Sequence, residues 1–436
     1  MPVTRRPALI RALGRWDLTA LVLNMIIASG IFGLPTIIAR LLGGVSPLAY
    51  VLAAAGMLVI AACFAEVASR FREAGGPYLY AREAFGQFVG LQVGWITWLV
   101  RITAAAANAN LFVSYLAELW SPASGLKVRL VLLTLMFGFL TVINYRGVRQ
   151  GAHVSDMLAV AKLLPLGVFV VVGLFFLRGE HFQVSVSAGV GNWTEAILLL
   201  VYAYGGFEAA LIPAGELKHP TRDSPFAVLA ALGLAAVLYT LIQTVVVGTV
   251  TLDALTDRPL ATAASEFLGR AGGLLLAVGA LISMYGQLSG TMLNTPRLTY
   301  ALAERGDFPR FFGAVHPRFR TPHVSILAYA GLSWALAVVG AFQEVGGFRW
   351  NAGLSAVARL LVYASTCAAL LIFRRRWREA PAFRLPAAGV FSFLGIAFCL
   401  VLLLRMGRAE FIILGITILL AAATWLWARR RASSPG

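Results

Sequence analysis

The sequence has little charge. Asp, Glu, Lys and Arg make up 13% of its 436 residues, about half the roughly 25% usual in soluble domains. Lysine is rarer still: among 36 basic residues only Lys127, Lys162 and Lys218 are Lys. The cysteines Cys63, Cys367 and Cys399 all lie inside apolar runs, so neither a disulfide framework nor a CxxC metal site is readable. No GxxxxGK[ST] phosphate loop occurs, which excludes direct ATP use through that motif. The five His lie near or between the ends of the apolar runs, and no HExxH or carboxylate cluster accompanies them. No metal or other cofactor is expected, and a membrane enzyme lacks a catalytic cluster. The basic stretch from Arg5 to Arg15 has no short apolar core with a small-residue cleavage site. It reads as a tail leading into the first apolar run, not as a secretion signal.

What is abundant is apolar. Hydrophobic residues make up 59% of the chain, and the mean hydropathy is +0.81. The net charge of +17 would suggest nucleic acid in a soluble protein. Here the basic residues sit in short segments between apolar runs, so the membrane reading takes precedence and no nucleic acid is expected.

A membrane-crossing helix needs about 20 mostly apolar residues. Such segments fall at about 17–40, 46–69, 89–117, 128–145, 153–177, 193–215, 225–250, 272–298, 323–343, 351–373, 386–406 and 410–428. Residues 70–88 are amphipathic and suit a short interfacial helix. With the N-terminus inside and the chain alternating, most Lys and Arg fall on the inner side, as the positive-inside rule requires. The expectation is an all-α membrane protein with twelve spans and both termini cytoplasmic. Arg429-Arg430-Arg431 anchors the last span on that side.

Gly and Pro are unevenly placed. Span 1 carries Ala28-Ser29-Gly30, then Gly33 and Pro35; span 6 carries Gly205-Gly206, then Pro213. Gly in a helix interior costs about 1 kcal/mol. Interrupted helices at corresponding positions of two halves mark the binding site of many secondary transporters. An offset of five spans gives the halves opposite topology. Spans 1–5 (about 17–177) then form one repeat, spans 6–10 (about 193–373) its inverted copy, and spans 11–12 (about 386–428) an accessory pair in a single transmembrane domain, 1–436. A broken helix exposes N–H groups at one half and C=O groups at the other. Those ends suit a carboxylate and an ammonium, the two charges of an α-amino acid. The competing reading is that the glycines only permit close helix packing.

The segments IIASGIFGLP in span 1 and VYAYGGFEAALIPAGELKHPTRDSP in span 6 resemble the signatures of the amino acid–polyamine–organocation (APC) superfamily, whose first span typically reads GSGIF. GGPYLYAREAFGQFVGLQVGW (75–95) and RLTYALAERGDFPRFFGAVHPRFRTP (297–322) also resemble that superfamily, so the likeness covers roughly residues 15–375. Within it the chain resembles the L-type amino acid transporters and their bacterial relatives. The resemblance implies the five-plus-five inverted-repeat fold of the leucine-transporter type, with spans 1 and 6 discontinuous. It implies amino acid transport across the cytoplasmic membrane. Ala28 departs from GSGIF, and its methyl group narrows the site or shifts the backbone contact.

The resemblance also implies residue roles. Ile27, Ala28, Ser29, Gly30 and Ile31, with Tyr202, Ala203, Tyr204, Gly205 and Phe207, would bind substrate, and Tyr202 would close over it. Lys162, in AVAKLLPLG of span 5, would occupy the place of a sodium ion in sodium-coupled relatives, bridging to the inner half of span 1 and to span 8. Unlike Arg, a buried Lys can release its proton, so proton coupling competes with a purely structural Lys162. Glu208 either takes part in proton linkage or is a strut between span 6 and its neighbours. Arg101, in WLVRITAAA upstream of Tyr115, either influences side-chain selectivity or makes a structural contact. Arg359 and Arg40 carry the same structural expectation, and Arg40 can also snorkel to headgroups. Ser289, Thr291, Asn294, Asn108 and Asn110 are weaker polar candidates, with Thr291 the one for selectivity. Mammalian L-type proteins bond a heavy subunit through a Cys in the loop matching 118–127. This chain has none there, so no such partner is expected; its partners are amino acid, lipid and, with coupling, protons. Besides proton-coupled uptake, the open alternatives are an obligate exchanger, a polyamine or amine permease, and a non-transporting sensor.

Overall fold

The computed structural model describes residues 14–71, 75–146, 152–182, 188–210, 219–304, 306, 308–343, 345–377 and 379–432. Arg5, Pro213 and Lys218 lie outside them. The described residues are mostly helical and contain no strand. Eight helical runs among them are long and apolar enough to cross a membrane, and 162–176 and 388–403 form two shorter apolar helices.

The first apolar run folds as two helices, α1 (Arg15–Ile26) and α2 (Ser29–Leu42). The Asp17 carboxylate accepts the Gly14 N–H at 2.9 Å and starts α1, a favourable place for negative charge. Ile27 (φ −75°, ψ 86°) and Ala28 (φ −129°, ψ −151°) leave the helical region and end it. In α2, Pro35 has no N–H to give to the preceding turn. There follow α3 (Ser46–Ala68), the short α4 (Gly76–Phe85) within the amphipathic stretch, α5 (Gln87–Leu119), α6 (Leu126–Arg146) and α7 (Ala152–Gly173).

The second break is the Gly205-Gly206 pair between α8 (Val190–Tyr204) and the four-residue α9 (Phe207–Ala210). The chain continues through α10 (Pro220–Thr249), α11 (Pro259–Glu304), α12 (His323–Ala341), α13 (Gly347–Arg376), α14 (Ala388–Leu403) and α15 (Arg408–Ala432). One correction concerns the span expected at 272–298. Helix begins already at Pro259 and bends at Gly269, whose φ of 65° suits a residue without Cβ.

In the most apolar window of α5, 72% is buried inside the protein; in α6 and α15 it is 17%. So α5 is central, packed against α13, α11, α12 and α4, while α6 and α15 present apolar surface outward. Without a hydrophobic drive between helices in lipid, close packing and polar contacts hold such bundles together. Both are present. A Cβ on Gly30 would lie 2.6 Å from Ala203 Cα, so α2 and α8 touch backbone to backbone beside their breaks. Gln243 of α10 donates to Pro35 O at 3.2 Å and Ser46 Oγ at 2.8 Å, joining α2 to α3. At one end of the bundle Glu66, fully buried, accepts from Arg374, Arg70 and the Leu385 N–H, which ties α3 to α13 and the segment after it.

Candidate functional site

The two helix breaks lie against each other. Gly206 has φ 115°, and a Cβ there would sit 2.7 Å from Met25 O, so both its backbone and its neighbour require glycine. Four helix ends meet at this point, and each leaves backbone groups without helical partners.

Two of the ends are closed by side chains of this protein. At the carboxyl end of α1, Lys162 of α7 donates to Asn24 O at 2.6 Å and Ile27 O at 2.7 Å. Tyr239 of α10 donates to the carbonyl between them, Ile26 O, at 2.9 Å. A cation at a helix carboxyl end is favourably placed. At the amino end of α9, Glu208 Oε2 accepts the Gly206 N–H at 2.9 Å and the Tyr363 hydroxyl at 3.1 Å. Glu208 Oε1 pairs with Arg359, whose guanidinium lies against Gly205 and fills the space a Cβ would need. Both charged groups are buried.

The other two ends are open. No side-chain cap meets the start of α2 at Ala28; at the end of α8 the Gly205 N–H reaches Tyr202 O at 3.3 Å, and no side chain among the described residues donates to the carbonyls of Ala203 and Tyr204. One end offers N–H donors from Ser29 onward; the other offers C=O acceptors up to Tyr204. Between them Tyr202 Oη and Ser29 Oγ share a hydrogen bond of 2.6 Å. The Tyr202 ring meets Phe348 edge-on, centroids 6.0 Å apart. Phe348 and Leu111 also fill the space beside Gly33.

Ile27, Ala28, Ser29, Gly30 and Ile31 are thus brought together with Tyr202, Ala203, Tyr204, Gly205 and Phe207, with Lys162 at the end of α1 and Glu208 at the start of α9. Tyr204 donates to Tyr50 O at 3.1 Å, and Phe207 stacks on Tyr363 at 5.5 Å, so both also serve packing. The Thr291 hydroxyl donates into its own helix, to Gln287 O and Leu288 O. Asn110 joins α5 to α12 through Ala337 O at 3.0 Å. The side chain of Arg101 makes no hydrogen bond among the described residues; Tyr329 bonds its backbone carbonyl instead. Arg40 is exposed and donates from Nη2 to the Leu255 carbonyl at 2.9 Å, a carbonyl contact of the kind expected of it. Tyr239, Phe348 and Tyr363 were not singled out by sequence. A tyrosine at mid-depth in an apolar run was the available signal for Tyr239.

A family profile described as amino acid permease matches residues 13–424, a stretch that contains both breaks and every helix end just described. The chain belongs to the amino acid permease family, within the APC superfamily. Among curated proteins, this permease is 28% identical over 389 residues to the serine/threonine exchanger SteT of Bacillus subtilis (strain 168), covering 86% of each chain. It is 24% identical over 419 residues to the branched-chain amino acid permease BcaP of the same organism, covering 92% of this chain and 89% of that one. It is 25% identical over 419 residues to a methylthioribose transporter of that organism, covering 91% and 88%. The family and these relatives are permeases and transporters, and this permease is a multi-pass membrane protein.

Proposed function

We propose that this permease is a secondary transporter that moves α-amino acids across the cytoplasmic membrane by alternating access. The observation that carries the reading is the pair of open helix ends. The chain closes one carboxyl end and one amino end with its own Lys162 and Glu208, and leaves one end of each kind facing the break. The substrate carboxylate takes the N–H groups of α2 from Ser29 to Ile31. Its ammonium takes the carbonyls at the end of α8. A zwitterion with both charged groups on one carbon satisfies the two ends at once. An amine without a carboxylate would leave the α2 donors unpaired. The buried carboxylate it would seek, Glu208, is already engaged by Arg359 and Tyr363.

Tyr202 serves as the gate: its bond to Ser29 and its contact with Phe348 cover the break on the α2 side. Further along α2, Thr36 donates to Thr256 O at 2.6 Å and Arg40 to Leu255 O, while Arg258 pairs with Glu118 of α5 at 2.9 Å. That segment ties α2 to α5. By contrast α1 packs chiefly on α10 and α9. This asymmetry supports a conformation sealed on the α2 side, with α1 as the element that swings. The topology consistent with these ends is the twelve-span, five-plus-five inverted repeat, with both termini and α1 on the cytoplasmic side. Lys162 holds the swinging half-helix by two carbonyls. In the proton-coupled cycle, release of its proton removes donor capacity and positive charge from the end of α1, and the half-helix loosens. No sodium is needed in that role.

A second reading keeps the site and changes the mode. Similarity to a serine/threonine exchanger over 86% of the chain favours obligate exchange, with Lys162 as a permanent cap. Uptake of labelled neutral amino acids into proteoliposomes separates the two. Accumulation into empty vesicles under an inward proton gradient, lost in Lys162→Ala, establishes proton-coupled uptake. Uptake only with unlabelled amino acid inside establishes exchange. No uptake under either drive, with folded protein, overturns amino acid transport.

A further inference from the structure

A groove of about 580 Å³ opens along the start of α10, away from the helix breaks. Its volume lies within the roughly 300–1,000 Å³ typical of small-molecule sites. Pro225, Phe226, Leu229 and Ala230 form one wall along successive turns of α10, and Ala382 and Phe383, after α13, form the other. Among the described lining residues Arg222 alone is charged. Arg222 is exposed and makes no ion pair among the described residues. The neighbouring Asp223 is buried and turned back on its own helix start, where it accepts the His219 N–H at 3.2 Å. The start of α1 packs on Phe226 of the α10 wall. Trp16 meets Phe226 edge-on with centroids 5.0 Å apart, and the Arg15 guanidinium stands 5.7 Å from the Phe226 ring centre. Trp16 is 64% exposed. Arg15 likewise makes no ion pair among the described residues.

We infer that this groove is a binding site for an anionic phospholipid of the cytoplasmic leaflet, with its phosphate between Arg222 and Arg15 and one acyl chain along Phe226, Leu229 and Ala230. The inference rests on the topology proposed above, which puts the starts of α1 and α10 at the inner surface. Three features fit a lipid. The groove is apolar along its length and cationic only at its end. Neither of its two cations pairs with a carboxylate among the described residues. An exposed Trp marks the same level, as aromatic side chains do at membrane–water boundaries. Basic residues at the cytoplasmic surface attract anionic headgroups. A headgroup held by both arginines joins the start of α1 to α10. It therefore steadies the half-helix whose other end is held by Lys162 and Tyr239.

The test uses the full-length protein in detergent, without substrate or gradient. Native mass spectrometry would compare binding of phosphatidylglycerol with that of phosphatidylcholine carrying the same acyl chains. Phosphatidylglycerol is expected to bind more tightly. Arg222→Gln and Arg15→Gln should each weaken it about fivefold, from roughly the contribution of one basic residue near an anionic surface. The double variant should bind both lipids alike, and Ala230→Trp, which fills the groove, should lose both. Equal binding of the two lipids to the unaltered protein overturns the site, as does preference unchanged in the double variant. If Ala230→Trp does not fold, the arginine variants still decide. Failure of the transport reading appears only in the uptake experiment, so the two remain separable.

Discussion

The two helix breaks differ in how their charge is held. At α1 a lone cation, Lys162, faces only backbone carbonyls, and no carboxylate pairs with it among the described residues. At α9 a carboxylate, Glu208, faces a backbone N–H but is also held by Arg359 and Tyr363. In the proton-coupled cycle proposed above, the first arrangement loosens when Lys162 releases its proton. The second is a closed set, in which every charge has a partner. This contrast suggests a division of labour: the α9 side is the fixed wall of the site, and the α1 side is the part that changes.

Breaking the fixed wall should cost most. Glu208→Ala leaves Arg359 buried without its carboxylate, and removal of one partner from a buried pair costs about 3–5 kcal/mol. The thermal midpoint in detergent should fall clearly, and the double variant Glu208→Gln with Arg359→Met should recover most of the loss. A double variant as unstable as the single would mean the two residues act separately.

Next in size is Gly206→Ala. A Cβ would meet Met25 O and force a backbone at φ 115°, which costs an L-residue about 1–2 kcal/mol before the clash is counted. Substrate binding should be lost by scintillation proximity assay while the protein still folds. Retained affinity would show that the two breaks need not touch.

On the mobile side, Lys162→Ala leaves two carbonyls without their donor, at about 1–3 kcal/mol for each unsatisfied buried group. Proton-driven accumulation should disappear, and hydrogen exchange along α1 should rise relative to α8. Equal protection of the two helices would remove the contrast drawn here. The smallest effect belongs to the gate. Tyr202→Phe removes the bond to Ser29 and keeps the ring against Phe348. About 0.5–1.5 kcal/mol is at stake, so KM should rise by no more than about tenfold. An unchanged KM would assign closure to the ring alone.

Much of the site was legible in one dimension because its chemistry is backbone chemistry. Small residues at Ala28-Ser29-Gly30 and Gly205-Gly206 announce where a helix cannot continue, whatever surrounds it. Lys162 stood out because it is charged in an apolar run. What stayed hidden were the partners. Nothing local to Tyr239 says that its hydroxyl meets Ile26 O, a residue more than two hundred positions away. Arg359 was expected to make a structural contact, but its partner was not readable, because α13 and α9 are distant in the chain. For Arg40 a carbonyl contact or snorkelling was readable, but not which carbonyl, because Leu255 comes from a distant segment.

The sequence by itself determined that this chain lives in a membrane, that two of its helices break, and that it belongs with the amino acid permeases. Hydropathy and backbone propensity are local properties and accumulate along the chain. Only the tertiary structure decided which broken ends are capped and which stay open. That outcome depends on side chains from α7, α10 and α13 reaching carbonyls and amides on α1 and α9. Such contacts form only once the helices pack, because in lipid a buried polar group must find its partner within the protein.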